Sequence, residues 1–338
     1  MKIASHLNPK LFDGDIETAA TRDGFGEGLM EAGEKDPRVV ALTADLSEST
    51  RTNIFAEAFP ERFIEVGVAE QNMASVASGL AAVGKIPFIT SYAMFSPGRN
   101  WEQIRTTIAY NEANVKVIGA HSGVSVGPDG ATHQALEDVA IMRVMPNMMV
   151  ISPCDAIEAR KATLWAAAHD GPVYIRLGRE MVPTVTTVGT PFEFGKAGLW
   201  VEQDEKLKHS VGIIVTGSLL YQAIKAAALI EKNDIGVSVL HVPTIKPLDN
   251  EAILRLAEEH DILVTIEEHQ INGGLGGAVA EYLSGVRPTK IVRLGIDDRF
   301  GESGEPNELL EYFKLNDRGI TERVLELFRL KGDARKLK

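Results

Sequence analysis

The chain predicts an α/β protein built from two doubly wound domains. Three observations carry that expectation. Short apolar runs of strand length alternate with segments of helical length along most of the 338 residues. Several of the runs are continuously apolar, as strands buried on both faces require. A Pro-, Thr- and Gly-rich stretch from Met181 to Phe192 interrupts the alternation once and divides it in two.

The elements follow in order. A helix is expected over 23–34, with Arg22 just ahead of it. Val39-Val-Ala-Leu-Thr reads as a buried parallel strand with Asp45 beyond its carboxyl end. The run 63–68 is strand-like and delivers Glu70 to the mouth of a helix of small residues, 71–83. Lys85 to Tyr92 is the next strand, followed by a helix over 99–110. Val115 to Ala120 is a strand, 133–143 a helix, and Met148 to Ser152 a strand. Asp155 caps a helix over 156–168, and Val173 to Leu177 closes the first set. Residues 1–14 form an amino-terminal extension, 15–180 the first domain, 181–194 the linker and 195–338 the second domain. In the second domain, strands at Val211, Val237 and Ile262 precede helices 218–231, 249–259 and 276–284. A last amphipathic helix covers 320–328, and the basic tail Lys331 to Lys338 is expected to fray.

Composition bounds the function. Hydrophobic residues make up 44%, enough for two full cores. A net charge of −12 disfavours nucleic acid and anionic membrane as partners, while leaving room for a local basic pocket. Cys154 is the lone cysteine, so no intrachain disulfide forms and a reduced, cytoplasmic setting is expected. The amino terminus has no apolar core of signal-peptide length, and nowhere do 18 apolar residues run together.

The chemistry gathers where predicted strands end. Asp45 and Ser49 follow the first strand. Tyr92 ends Lys85–Tyr92 and Phe95 follows it, in Ser91-Tyr-Ala-Met-Phe-Ser-Pro-Gly-Arg. His121, Asp129 and His133 follow Val115–Ala120, in Gly119-Ala-His-Ser-Gly-Val-Ser-Val-Gly-Pro-Asp-Gly-Ala-Thr-His. The carboxyl edge of a parallel sheet is where ligands bind. Glu70 stands among Val66, Val68, Ala69 and Ala74, so lost hydration should raise its pKa and let it share a proton near neutrality. A plain helix-start glutamate is the alternative for Glu70, and a helix N-cap for Asp45. A metal would need more ligands than His121, His133 and Asp129 supply, so no metal site is expected here. Asn272-Gly-Gly-Leu-Gly-Gly lacks dinucleotide-binding phasing and reads as a tight strand-to-helix turn.

Three runs give these residues a family likeness: Gly67-Val-Ala-Glu-Gln, Ala44-Asp-Leu-Ser and Gly127-Pro-Asp-Gly-Ala-Thr-His-Gln. On them, residues 15 to about 330 resemble the carboxyl-terminal half of a transketolase, a pyrimidine-binding domain followed by the terminal domain. The resemblance implies that Glu70 hydrogen-bonds the ring nitrogen of thiamine diphosphate and promotes its imino tautomer. Phe95, with Tyr92, is then the stacking platform, and Asp45 lies near the pyrimidine edge. His121, Asp129 and His133 resemble the substrate-contacting set. Arg22, Ser49, His121 and Arg179 match positions that grip a substrate phosphate, for which arginine's planar fork is suited. Arg176 competes with Arg179, and the Pro-Gly before Arg99 leaves its direction open. The resemblance gives the terminal domain an interface and structural role.

Asp13-Gly-Asp and Pro128-Asp-Gly do not reproduce the Gly-Asp-Gly diphosphate motif with its later asparagine. The resemblance therefore implies half an enzyme. A separate amino-terminal subunit would hold magnesium and the diphosphate, in an assembly of two copies of each chain acting on sugar phosphates. The alternatives are the β subunit of a 2-oxo acid dehydrogenase or a deoxyxylulose-phosphate synthase, and a scaffold that retains the fold.

Overall fold

In the computed structural model, the described residues are 1–203, 207, 209–260 and 262–336, with side chains described as far as residue 329. The first sheet orders its strands Met149–Ile151, Val173–Arg176, Lys116–Ala120, Ile86–Tyr92, Val39–Thr43 and Phe63–Glu65, all parallel. Alternate side chains feed two cores. Leu42, Ile89, Val117 and Val150 enter one, and Ala41, Phe88, Ile118 and Ile151 enter the other. Each large apolar side chain so buried contributes roughly 1.5–3 kcal/mol of transfer free energy. The strand order reverses between Val39–Thr43 and Ile86–Tyr92, which opens a crevice at their carboxyl ends.

The second sheet runs Lys2–Ile3, Gly198–Glu202, Ile235–His241, His209–Val215, Ile262–Gln270 and Lys290–Ile296. Its last four strands are parallel, and the first two pair antiparallel. The strand order reverses between His209–Val215 and Ile262–Gln270. The amino-terminal residues thus belong to this sheet, and Leu7 and Leu11 are buried in its core. In exchange, Thr244–Lys246 pairs antiparallel with Met149–Ile151 at the edge of the first sheet. Met181–Pro183, in the expected linker, pairs with Thr18–Ala20. These exchanges tie the domains through backbone hydrogen bonds.

Several sequence expectations are corrected. The helix expected over 133–143 spans only Asp138–Arg143, because Gly127 and Gly130 hold positive φ and keep the preceding segment in short 3-10 turns. The strand expected over 63–68 ends at Glu65, where Gly67 turns with φ +70°. Arg22 lies inside its helix, Thr21–Lys35, rather than ahead of it. The last helix is longer than expected, Asp317–Lys336, so most of the basic tail is helical; Leu337 and Lys338 lie outside the described residues. The helix expected over 99–110 splits into Trp101–Gln103 and a wider-wound stretch, Ile104–Ala109.

Candidate active site

Helix Glu70–Ala82 packs Met73, Ala74 and Ala77 inward, a spacing that puts its first residue over the crevice. Glu70 is 1% exposed. Its neighbours differ from those expected. Val68 is 68% exposed, and the carboxylate is met by polar groups. Arg99 Nη1 donates to Glu70 Oε2 at 2.6 Å, and Ser91 Oγ donates to Oε1 at 3.4 Å. Asn100 Nδ2 donates to the Glu70 carbonyl at 3.1 Å, which anchors the helix start to the loop after Tyr92. That loop carries Phe95, whose ring centroid is 4.9 Å from the Arg99 guanidinium carbon.

An aromatic wall continues from Phe95. Tyr92 lies 6.1 Å from Phe95 and 3.9 Å from His121, stacked against both. His133 meets Phe95 edge-on at 5.6 Å and Tyr92 at 6.2 Å. Residues twelve positions apart in sequence therefore face the same wall. Thr132 Oγ1 lies 2.9 Å from His133 Nδ1 and orients that ring.

His121 sits at φ +53° at the foot of a basic cluster. Arg22 Nη1 lies 3.5 Å from His121 Nε2 and donates to the Ser49 carbonyl at 2.8 Å. Arg179 Nη1 donates to the Val126 carbonyl at 2.5 Å. Burial, and then the charges of Arg22 and Arg179, pull the His121 pKa down to about 3, so this imidazole is neutral at ordinary pH. Burial, and then Arg51, also lower Arg22. Among the described residues, His121 Nδ1 and Arg22 Nε have no hydrogen-bond partner and are buried. A cluster of cations with unmet donors invites an anion.

The other expected residues separate. Asp45 is exposed at φ +60°, where its N–H donates to Glu65 Oε1 at 2.8 Å. It does not cap the short helix that follows, whose N-cap is Leu46. Ser49 contributes its carbonyl to Arg22. Asp129 is exposed on the outer turn of its loop. Arg176 is removed from candidacy. It is buried, donates from Nε to Asp138 Oδ2 at 2.8 Å and from Nη2 to the Glu268 carbonyl at 2.8 Å, and its pKa is raised chiefly by Asp138 against the cost of burial. Among the described residues, the cluster of metal-ligand type is Cys154, Glu158 and His241, buried at the domain junction; His133 and Asp129 do not belong to it.

Arg51 was missed by sequence reasoning. It follows the short helix at φ +65°, pairs through Nε with Asp23 Oδ1 at 2.6 Å and adds a third cation beside His121. Its nearness in sequence to Ser49 was the available signal. Glu268, from the second domain, was also missed. Its Oε1 accepts the Ser125 N–H at 2.5 Å and so pins the loop between His121 and His133. Gly123 lies at φ +84°, and a Cβ there would come within 2.3 Å of that carboxylate.

The family model of the transketolase pyrimidine binding domain matches residues 17–184, and that of the transketolase C-terminal domain matches 201–320. The chain belongs to the transketolase family. It is 44% identical over 308 residues to a Methanocaldococcus jannaschii chain assigned as a transketolase C-terminal section, covering 90% of this chain and 95% of the relative. It is 40% identical over 316 residues to a 6-deoxy-6-sulfo-D-fructose transketolase subunit of Clostridium sp. strain MSTE9, covering 94% and 97%. Among solved structures, a split-gene transketolase described as an inactive β4 tetramer superposes with TM-score 0.82 at 42% identity, covering 92% of this chain and 98% of that one. Human transketolase is matched over 48% of its length. Within this transketolase-family chain, the buried glutamate, the aromatic wall and the basic cluster share one sheet edge.

Proposed function

We propose that this chain is the carboxyl-terminal subunit of a split transketolase. It moves a two-carbon ketol unit from a ketose phosphate to an aldose phosphate, and it is active only with a separate amino-terminal subunit in an assembly of two copies of each chain. The observation that carries the reading is the buried Glu70 carboxylate, joined to Phe95 through the Arg99 guanidinium, at the switch point of the first sheet. The cradle suits an aminopyrimidine ring. Glu70 and Phe95 already hold a flat, nitrogen-bearing group between them, the Arg99 guanidinium. Thiamine diphosphate supplies the carbanion-stabilising centre when bound, and magnesium and the diphosphate contacts belong to the partner.

The chain's own residues supply the rest. Glu70 exchanges a proton with the pyrimidine ring nitrogen. Phe95 and Tyr92 hold that ring by stacking, worth about 0.5–1.5 kcal/mol beyond burial. Asp45, exposed at the same edge, faces the pyrimidine side once the partner closes over it. His121 and His133 flank the wall where sugar hydroxyls are to be deprotonated, with Asp129 at the rim. Arg22, Arg51 and Arg179, with the Ser49 turn, bind the phosphate. A bound phosphate offsets the cations that hold His121 down, so the imidazole becomes a better base once substrate is in place.

The test is reconstitution with the amino-terminal section, thiamine diphosphate and magnesium, assayed over a panel of ketose donors. Ketol transfer is expected from the mixture and not from this chain alone. Substantial turnover by the isolated chain, or none by the complex with any donor, overturns the proposal.

A further inference from the structure

We propose that Arg99 is a built-in plug of the pyrimidine cradle, a side chain that holds the site in the cofactor's stead and must swing out to admit the ring. The inference rests on the proposed role of Glu70 and Phe95 and extends it to a residue whose direction the sequence left open. Arg99 makes, by itself, both contacts the cradle would offer an aminopyrimidine. One guanidinium N–H is 2.6 Å from Glu70 Oε2, and the guanidinium carbon is 4.9 Å from the Phe95 ring centroid. A cation over an aromatic face and a charge-assisted hydrogen bond to a carboxylate are each favourable, and an incoming ring must displace both.

The geometry makes the contact exchangeable. Glu70 is 1% exposed, whereas the Arg99 side chain is 45% exposed. Arg99 can therefore move into solvent while Glu70 stays in place. Glu70 cannot be left bare, since among the described residues Ser91 Oγ at 3.4 Å is the other hydrogen-bond donor to its carboxylate. A buried carboxylate stripped of its cation is strongly disfavoured, so Arg99 departs as the ring arrives; because the ring nitrogen of a neutral aminopyrimidine carries no hydrogen, one proton from solvent enters with it and bridges that nitrogen and Glu70. While Arg99 is bound, it occupies the Glu70 oxygen that would otherwise face the ring nitrogen. The plug thus couples activation of Glu70 to occupancy of the cradle.

The test uses the pyrimidine half of the cofactor, 4-amino-5-hydroxymethyl-2-methylpyrimidine, titrated calorimetrically into the full chain. This probe needs no partner subunit and reads binding rather than turnover. Arg99→Ala is expected to bind it on the order of tenfold more tightly than the native chain. Arg99→Gln, which keeps a hydrogen-bonding group beside Glu70 should the alanine variant fold poorly, is expected to show the same direction. Arg99→Lys should fall between, because an ammonium keeps the ion pair without the planar fork. Equal affinity across native and variant chains, with measurable binding, overturns the plug and leaves the cradle standing. Weaker binding by Arg99→Ala and Arg99→Gln overturns it too, making Arg99 a ligand contact. Absence of binding in every variant overturns the cradle and the plug together.

Discussion

The two sheets of this molecule present the same topological opportunity and treat it in opposite ways. Each reverses strand order at one point, and each places carboxylates at that crevice. In the second sheet the acids are spent on the protein. Glu267 accepts the N–H groups of Leu275 and Gly276 at 2.7 and 2.8 Å, and so occupies the helix start that the glycine-rich turn might have offered a phosphate. Glu268 accepts from Ser125 at 2.5 Å and from Ser218 at 3.4 Å. In the first sheet, Glu70 has a half-exposed, exchangeable cation, and the adjoining basic cluster retains buried atoms on Arg22 and His121 that have no partner among the described residues. The lesson is that topology proposes a site and hydrogen-bond satisfaction decides whether it is used.

Substitutions can break this contrast. The largest effect is expected for Glu70→Gln, which should fold and yet lower ketol transfer in the reconstituted complex by at least about a hundredfold; near-native rates would place Glu70 with the merely structural acids. Next come the cations. Arg51→Ala or Arg22→Ala should raise the KM for a phosphorylated sugar by about ten- to a hundredfold, with much less effect on an unphosphorylated analogue. An equal loss on both sugars would argue against a phosphate grip.

On the second sheet, Glu267→Gln should cost about 1–3 kcal/mol in chemical denaturation and leave KM and kcat unmoved. Glu268→Ala should also destabilise, but it releases the loop between His121 and His133. A severalfold rise in KM is therefore expected from Glu268→Ala alone, and identical kinetics in the two variants would sever the second domain from the site.

The smallest effect concerns pH. In the fold His121 stays neutral down to about pH 3, whereas in the unfolded chain it takes a proton near its ordinary value of 6.5. Between those limits the unfolded state binds more protons, so stability falls as the solution is acidified through that window. His121→Asn should flatten that part of the stability curve. An unchanged slope would mean that His121 is not held neutral.

Much of this was legible in the sequence. The strands Val39–Thr43, Ile86–Tyr92 and Lys116–Ala120 announce themselves as short, mostly apolar runs, because both faces are covered. The residues at or just beyond their ends, Tyr92, Phe95 and His121, were legible as site candidates because parallel strands all deliver their ends to one edge. The Asn272–Gly277 run was legible as a turn for want of proper phasing. Thr244–Lys246, in contrast, reads locally as part of the second domain, yet it completes the first sheet. No local pattern records such an exchange.

What the sequence by itself determined, then, is the periodic and local part: most of the parallel strands and the longer helices, which edge they share, and that Glu70 begins a helix of small residues. What only the tertiary structure decided is which polar groups are consumed and which are left over. Arg176 and Arg179 are three residues apart and chemically identical; burial against Asp138 removes one, and the loop carbonyl of Val126 leaves the other at the site. Arg99 and Glu70 are twenty-nine residues apart and meet at 2.6 Å. Burial and pairing are properties of three-dimensional neighbours, and these set both the charge of a side chain and its freedom to bind something else.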